Sequence, residues 1–123
     1  MSITIYHNPR CSKSLKTLAL LDSEGITATI VEYLDTPPDA ASLIRIAQLL
    51  EVSLVDLLRR GEDDFKDAGD SVPLDDEMAL AEWLHNNPRV LERPIVVDED
   101  QGRAVVGRPP ENVLGLIGGS LDD

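Results

Sequence analysis

Ile3-Thr4-Ile5-Tyr6-His7-Asn8-Pro9-Arg10-Cys11-Ser12-Lys13-Ser14 is the stretch on which the reading of the chain turns. Apolar residues alternate at its start, the period of a half-buried strand. His-Asn-Pro-Arg is turn chemistry, and Leu15, Leu18, Leu20 and Leu21 follow at helical spacing. The single cysteine therefore opens a helix. Unpaired backbone N–H groups and the helix dipole favour negative charge at such an end, and Arg10 and Lys13, joined by His7 if its ring is protonated, add positive charge nearby, so the position suits a thiolate. A lone cysteine is otherwise a small buried hydrophobe, but these neighbours are polar and basic rather than apolar.

Outward from this stretch, Gly25 caps the helix after Ser23-Glu24, and β-branched, alternating Thr27-Ala28-Thr29-Ile30-Val31-Glu32-Tyr33 reads as a second strand after a first over Ser2 to Tyr6. Strand, helix and strand joined so tightly make a βαβ unit with parallel strands and a right-handed crossover. Asp35-Thr36-Pro37-Pro38-Asp39 breaks the chain. Helical spacing resumes from Ala40 with Leu43, Ile44, Ala47, Leu49 and Leu50, and Ser53 caps a further turn closed by Arg59-Arg60-Gly61. Glu62 to Asp76 is acidic, read as short turns anchored by Phe65. Asp75 or Asp76 then caps a helix through Met78, Leu80, Ala81, Trp83 and Leu84, with Trp83 and Phe65 expected in the core.

Arg93-Pro94 leads into the strand Ile95-Val96-Val97-Asp98, and Asp100-Gln101-Gly102 turns it back through Ala104-Val105-Val106-Gly107. Arg108-Pro109-Pro110-Glu111 opens the last helix with prolines in its first turn, and Val113, Leu114, Leu116 and Ile117 form its apolar face. The expected architecture is one α/β domain over residues 1–117. It is a mixed sheet in the order strand-helix-strand, then strand-strand-helix, with a helical insertion at about 39–90 and a frayed tail at 118–123.

A chain of 123 residues, 42% hydrophobic but only 3% aromatic, must build a small core from Leu, Ile, Val and Ala. No apolar run reaches the roughly 20 residues of a membrane span, and the start has no signal-peptide pattern. One cysteine forms no internal disulfide, which fits a reducing cytoplasm. A net charge of -12 argues against nucleic acid or an anionic membrane as partner, and a charged exterior makes a monomer the expectation. Arg10, Arg59 or Arg60, Arg93 and Arg108 nevertheless sit beside turn or proline signals. In the expected sheet the first turn, the turn before Ile95 and the start of the last helix meet at one edge, bringing Cys11, Arg93 and Arg108 together where α/β folds bind ligands. A basic pocket in an acidic surface points to a small anion.

Tyr6 to Ser14, Leu57-Leu58-Arg59-Arg60, Glu92-Arg93-Pro94-Ile95-Val96-Val97 and Gly107-Arg108-Pro109 together resemble, in order from Ile3 to about Ile117, the glutaredoxin-dependent arsenate reductases. The resemblance implies a thioredoxin-like (glutaredoxin-like) fold and reduction of arsenate to arsenite, with glutathione as co-substrate, glutaredoxin as partner and neither metal nor bound cofactor. It makes Cys11 the nucleophile and Arg59, Arg93 and Arg108 the oxyanion-binding arginines. His7 and Ser14 would tune or hold the thiol, and Pro94 would be the cis-proline facing it. Ser12 departs from the glycine many members carry. Ser14 stands where a sister group of transcription regulators has its second cysteine. A thioredoxin-fold regulator or adaptor, or a general glutathione-linked thiol reductase without arsenate activity, is the alternative.

Overall fold

A computed structural model describes residues 2–118. It divides into two compact units, one formed by the chain through Tyr33 and from Arg93 onward, the other by Leu34–Glu92.

The first unit is a four-stranded sheet in the order β2-β1-β3-β4, with β1 at Ile3–His7, β2 at Thr29–Glu32, β3 at Ile95–Asp98 and β4 at Arg103–Val106. α1 (Ser12–Ser23) connects β1 to β2, which run parallel with Ile5 opposite Ile30. β1 and β3 run antiparallel with Ile5 opposite Val96, as do β3 and β4. Ile3, Ile5, Leu21 and Val96 pack with Val113, Leu116 and Ile117 of α5 (Asn112–Gly118) into one buried cluster. β3, covered on both faces, is buried at all four positions, whereas the edge strand β2 is mostly exposed. That explains why β2 is shorter than its β-branched run: it has β1 alone to pair with, and the pairing ends at His7 and Glu32.

Three further expectations shift. The leucines of α1 are buried unequally: Leu21 is in the core with Leu18 and Leu20 packed against it, but Leu15 is 49% exposed, and the fully buried face is completed by Ser14 and Thr17. Gly107 leaves the sheet, and β4 stops at Val106. The last helix begins at Asn112 rather than at Arg108. The residues before Asn112 form a turn whose Pro109, Pro110 and Glu111 carbonyls accept from the N–H groups of Asn112, Val113 and Leu114. Gly118, expected in the tail, is the last residue of α5, and the rest of the expected tail, 119–123, lies outside the described residues.

The β3–β4 hairpin is held by Asp98, whose Oδ1 accepts from the N–H groups of Asp100 and Gln101 at 3.1 Å each, while Gly102 supplies the positive φ of 63° that the turn requires.

In the second unit, α2 (Ala40–Leu50) starts at Asp39, whose Oδ1 accepts from Ser42 N at 2.8 Å. α4 (Glu77–Asn86) starts at Asp76, whose Oδ1 accepts from Ala79 N at 3.2 Å. Between them lie a 3-10 turn, Leu54–Leu57, opened by Ser53, and α3, Asp63–Ala68. Leu43, Ile46, Leu54, Leu57, Leu80 and Leu84 are buried. Phe65 and Trp83 are half-buried, not core. Their rings meet edge to face with centroids 6.5 Å apart, and the Arg60 guanidinium covers Phe65 at 5.5 Å, a cation–π lid over an aromatic pair near the surface. No described helix is long and apolar enough to cross a membrane.

Candidate active site

The turn after β1 is built by Asn8. Its carbonyl accepts from Cys11 N at 3.0 Å and its side-chain Oδ1 from Arg10 N at 2.9 Å, which folds His7-Asn8-Pro9-Arg10 back on itself and delivers Cys11 to the N-cap of α1. Ser14, one turn into the helix and fully buried, fastens the other side. Its hydroxyl accepts from Asn8 N at 3.1 Å and shares a 2.6 Å hydrogen bond with His7 Nδ1.

Cys11 is half-buried. Partial burial pushes its thiol pKa up, but the backbone N–H groups of Ser14 and Lys13, followed by the hydrogen bond and the charge of Arg93, favour the anion. The balance lies below the ordinary thiol value. Arg108 reaches the same sulfur, with Nη2 3.8 Å from Sγ. Its Nε donates to the Arg93 carbonyl at 2.7 Å, and Gly107 N donates to the Pro94 carbonyl at 2.8 Å, so the two arginine-bearing loops are stitched together by two adjacent bonds. The Arg93-Pro94 and Arg108-Pro109 peptides are both cis.

His7 is buried at the end of β1 and bonds Ser14. Burial holds its imidazole below the usual pKa, against the pull of Glu32 opposite it in the sheet, so the ring is neutral at pH 7. Cys11, Arg93, Arg108, His7, Ser14 and Pro94 are thus gathered in the first unit. Arg59 belongs to the second. There its backbone N–H donates to the Val90 carbonyl at 2.6 Å and its Nη1 lies 3.6 Å from Glu62 Oε1, in a cleft also lined by Gly61, Asp63 and Glu92. Arg60, its rival in the sequence, is the residue over Phe65.

The sequence assigns no role to two participants: Thr17, which lies in no motif, and Gly107, which reads only as the strand end before Arg108. Thr17 is fully buried on α1, and Gly107 lies against it. The signal for Thr17 is present in retrospect: Ser14, Thr17 and Leu21 share a helix face, and two small polar residues on a buried face mark a place where backbone comes close. Among the described residues no group of three His, Cys, Asp or Glu side chains could hold a metal ion.

A nucleophilic sulfur at a helix start, lowered in pKa and faced by two guanidinium groups, can attack an electrophilic centre carrying negative oxygens. Sheet order and site together define a thioredoxin-like protein whose single thiol is faced by two guanidinium groups. The ArsC family model matches residues 6–116, and the chain belongs to the ArsC family. It is 46% identical over 116 residues to the arsenate reductase of Neisseria meningitidis, covering 94% of this chain and 97% of that protein. It is 44% identical over 117 residues to the uncharacterized protein YfgD of Escherichia coli, covering 94% and 97%. The solved structure of the arsenate reductase from Vibrio cholerae superposes with a TM-score of 0.85 at 41% identity, over 93% of this chain and 96% of that one.

Proposed function

We propose that the protein is an arsenate reductase in which the Cys11 thiolate attacks arsenate, with glutathione and glutaredoxin of a reducing cytoplasm as the electron source. The observation that carries this reading is the placing of Arg108 Nη2 at 3.8 Å from the Cys11 sulfur, which Arg93 also hydrogen-bonds. Planar guanidinium forks match the edge of a tetrahedral oxyanion, and their charge stabilises the negative transition state of its attack. Arg59 is the third oxyanion arginine of this reading, on the strength of its place in the sequence motif.

The sulfur anion forms an S–As bond and an arsenate oxygen leaves as water after protonation. A glutathione thiolate then attacks the Cys11 sulfur. The S–As bond breaks with its electron pair left on arsenic, so As(V) becomes As(III), arsenite departs and a Cys11–glutathione disulfide remains. A glutaredoxin thiolate takes the glutathione sulfur and returns Cys11 as a thiolate. An external thiol is required because the chain contains one cysteine. The reaction consumes two thiols and produces one disulfide for each arsenate.

The test is turnover of arsenate with glutathione and glutaredoxin, followed by arsenite release. The wild type is expected to produce arsenite and Cys11→Ser to produce none. A wild type that turns over glutathionylated protein disulfides but never arsenate would make it a general thiol reductase.

A further inference from the structure

Nothing in the mechanism above explains why the loop before Arg108 passes so near α1. A Cβ built on Gly107 would lie 2.6 Å from Thr17 Oγ1, 3.2 Å from Thr17 Cγ2 and 2.8 Å from Pro94 Cγ. By contrast, a Cβ on Gly115 of α5 would meet nothing within 4 Å. Among Gly25, Gly61, Gly69, Gly102, Gly107 and Gly115, Gly107 alone has the place of its missing side chain filled by other parts of the protein, and the atoms that fill it come from the Cys11 helix and from the Arg93 loop. Gly107 and Pro94 are buried, and Thr17 is fully so. Thr17 cannot swing away without loss, because its Oγ1 donates to the Lys13 carbonyl at 2.8 Å, one turn back toward the N–H groups that face the sulfur.

We infer that Thr17 and Gly107 are positioning residues, a stop at which the helix carrying Cys11 and the two loops carrying Arg93 and Arg108 come to rest against one another, fixing the guanidinium-to-sulfur spacing. The inference rests on the anion-site reading of Cys11. Its geometry is economical. Gly107 N is tied to Pro94 O and the next residue's Nε to Arg93 O, so both loops move as one piece, and a single point of contact with α1 sets the distance for both. A contact carbon needs about 3.5 Å or more from its neighbours, so an added methyl must push this piece and α1 apart by a fraction of an ångström to about one. Neither residue touches the reacting atoms; both act through the arginines.

The experiment uses the full chain and reads two properties of its single thiol: the pH titration of the thiolate by ultraviolet absorbance, and protection of Cys11 from iodoacetamide by sulfate. Gly107→Ala is expected to weaken sulfate protection on the order of ten- to a hundredfold, the cost of a displacement of this size at a reacting site, and to move the thiol titration upward. Thr17→Ala placed in the same chain removes two of the three obstructing atoms and recovers much of the loss. Gly115→Ala leaves both readouts at wild-type values. Should Gly107→Ala not fold, Thr17→Ala alone decides, because removing the stop lets α1 and the loops drift and protection falls severalfold. The inference is overturned if the folded variants lower thermal stability while sulfate protection and the thiol titration stay at wild-type values, since that is what mere packing would do. Neither readout needs turnover. A wild type without arsenate activity whose variants still shift as described would sink the reductase reading and leave the positioning role standing.

Discussion

Replacing Arg108 by Gln removes one of the two guanidinium groups at the sulfur and leaves an uncharged amide that ends at about the position of the arginine Nε. In the wild type the Arg108 Nε is held at 2.7 Å by the Arg93 carbonyl, so the guanidinium plane is oriented before any anion arrives and little side-chain entropy remains to be lost on binding. A hydrogen bond to a charged group contributes about 1.5–3 kcal/mol. Arg108 is half-buried, so water screens part of this and the lower portion of the range applies, about 1.5–2 kcal/mol or roughly ten- to thirtyfold in affinity. Lysine keeps the charge but has neither the fork nor the Nε that reaches Arg93, so Arg108→Lys should fall between Gln and the wild type. The assay is the concentration of arsenate or sulfate that halves the rate of Cys11 alkylation, each variant normalised to its own rate without anion. Lys16→Gln, which removes an exposed charge from α1, is the control and should change the midpoint by about twofold or less, because exposed charges at a distance are screened. Equal midpoints for Arg108→Gln and wild type would refute the placing of this guanidinium on the bound anion. Equal losses for Arg108→Gln and Lys16→Gln would show that only net charge matters.

Ser14→Ala deletes a fully buried hydroxyl that accepts from Asn8 N and bonds His7 Nδ1, leaving two polar groups to find other partners. The expected loss is about 2 kcal/mol, read in urea unfolding, or roughly 5–10 °C in melting temperature; a loss under about 0.5 kcal/mol would mean these bonds are remade elsewhere. The buried His7 contributes to the pH dependence of stability with a definite sign. Its folded pKa lies below the unfolded value near 6.5, so the unfolded chain binds the extra proton first, and stability present above that value is lost as pH falls through the window beneath it. Urea unfolding of wild type and His7→Gln at pH 7.5 and 5.5 should show the wild type losing more stability on acidification, and parallel losses would assign that dependence to other groups.

Much of the site could be read along the chain because its parts announce themselves locally. Cys11 stands in turn chemistry at a helix start, Arg93 and Arg108 precede prolines, and the βαβ order puts them on one edge. What could not be read was decided across the fold. The leucine spacing of α1 is a genuine helical pattern, yet Leu15 lies exposed because its end of the helix packs against polar loop backbone through Ser14 and Thr17. Gly107 looked like the last residue of a strand, and its tight approach to Thr17 and Pro94 follows from tertiary contacts that no local pattern encodes. Phe65 and Trp83 are aromatic, which argued for the core. In a small helical segment they serve instead as a half-exposed platform under Arg60.

The sheet is assembled from the two ends of the chain, with Ile5 beside Val96 and the whole of Leu34–Glu92 intervening. Closing so long a loop costs several kcal/mol of chain entropy before the strand pair forms, and synthesis delivers the N-terminus first. On the ribosome, then, the cysteine emerges early while both guanidinium groups are still unmade. Through most of translation the sulfur has only the start of its own helix beside it, and the share of its acidity that Arg93 contributes is added once the closing strands arrive.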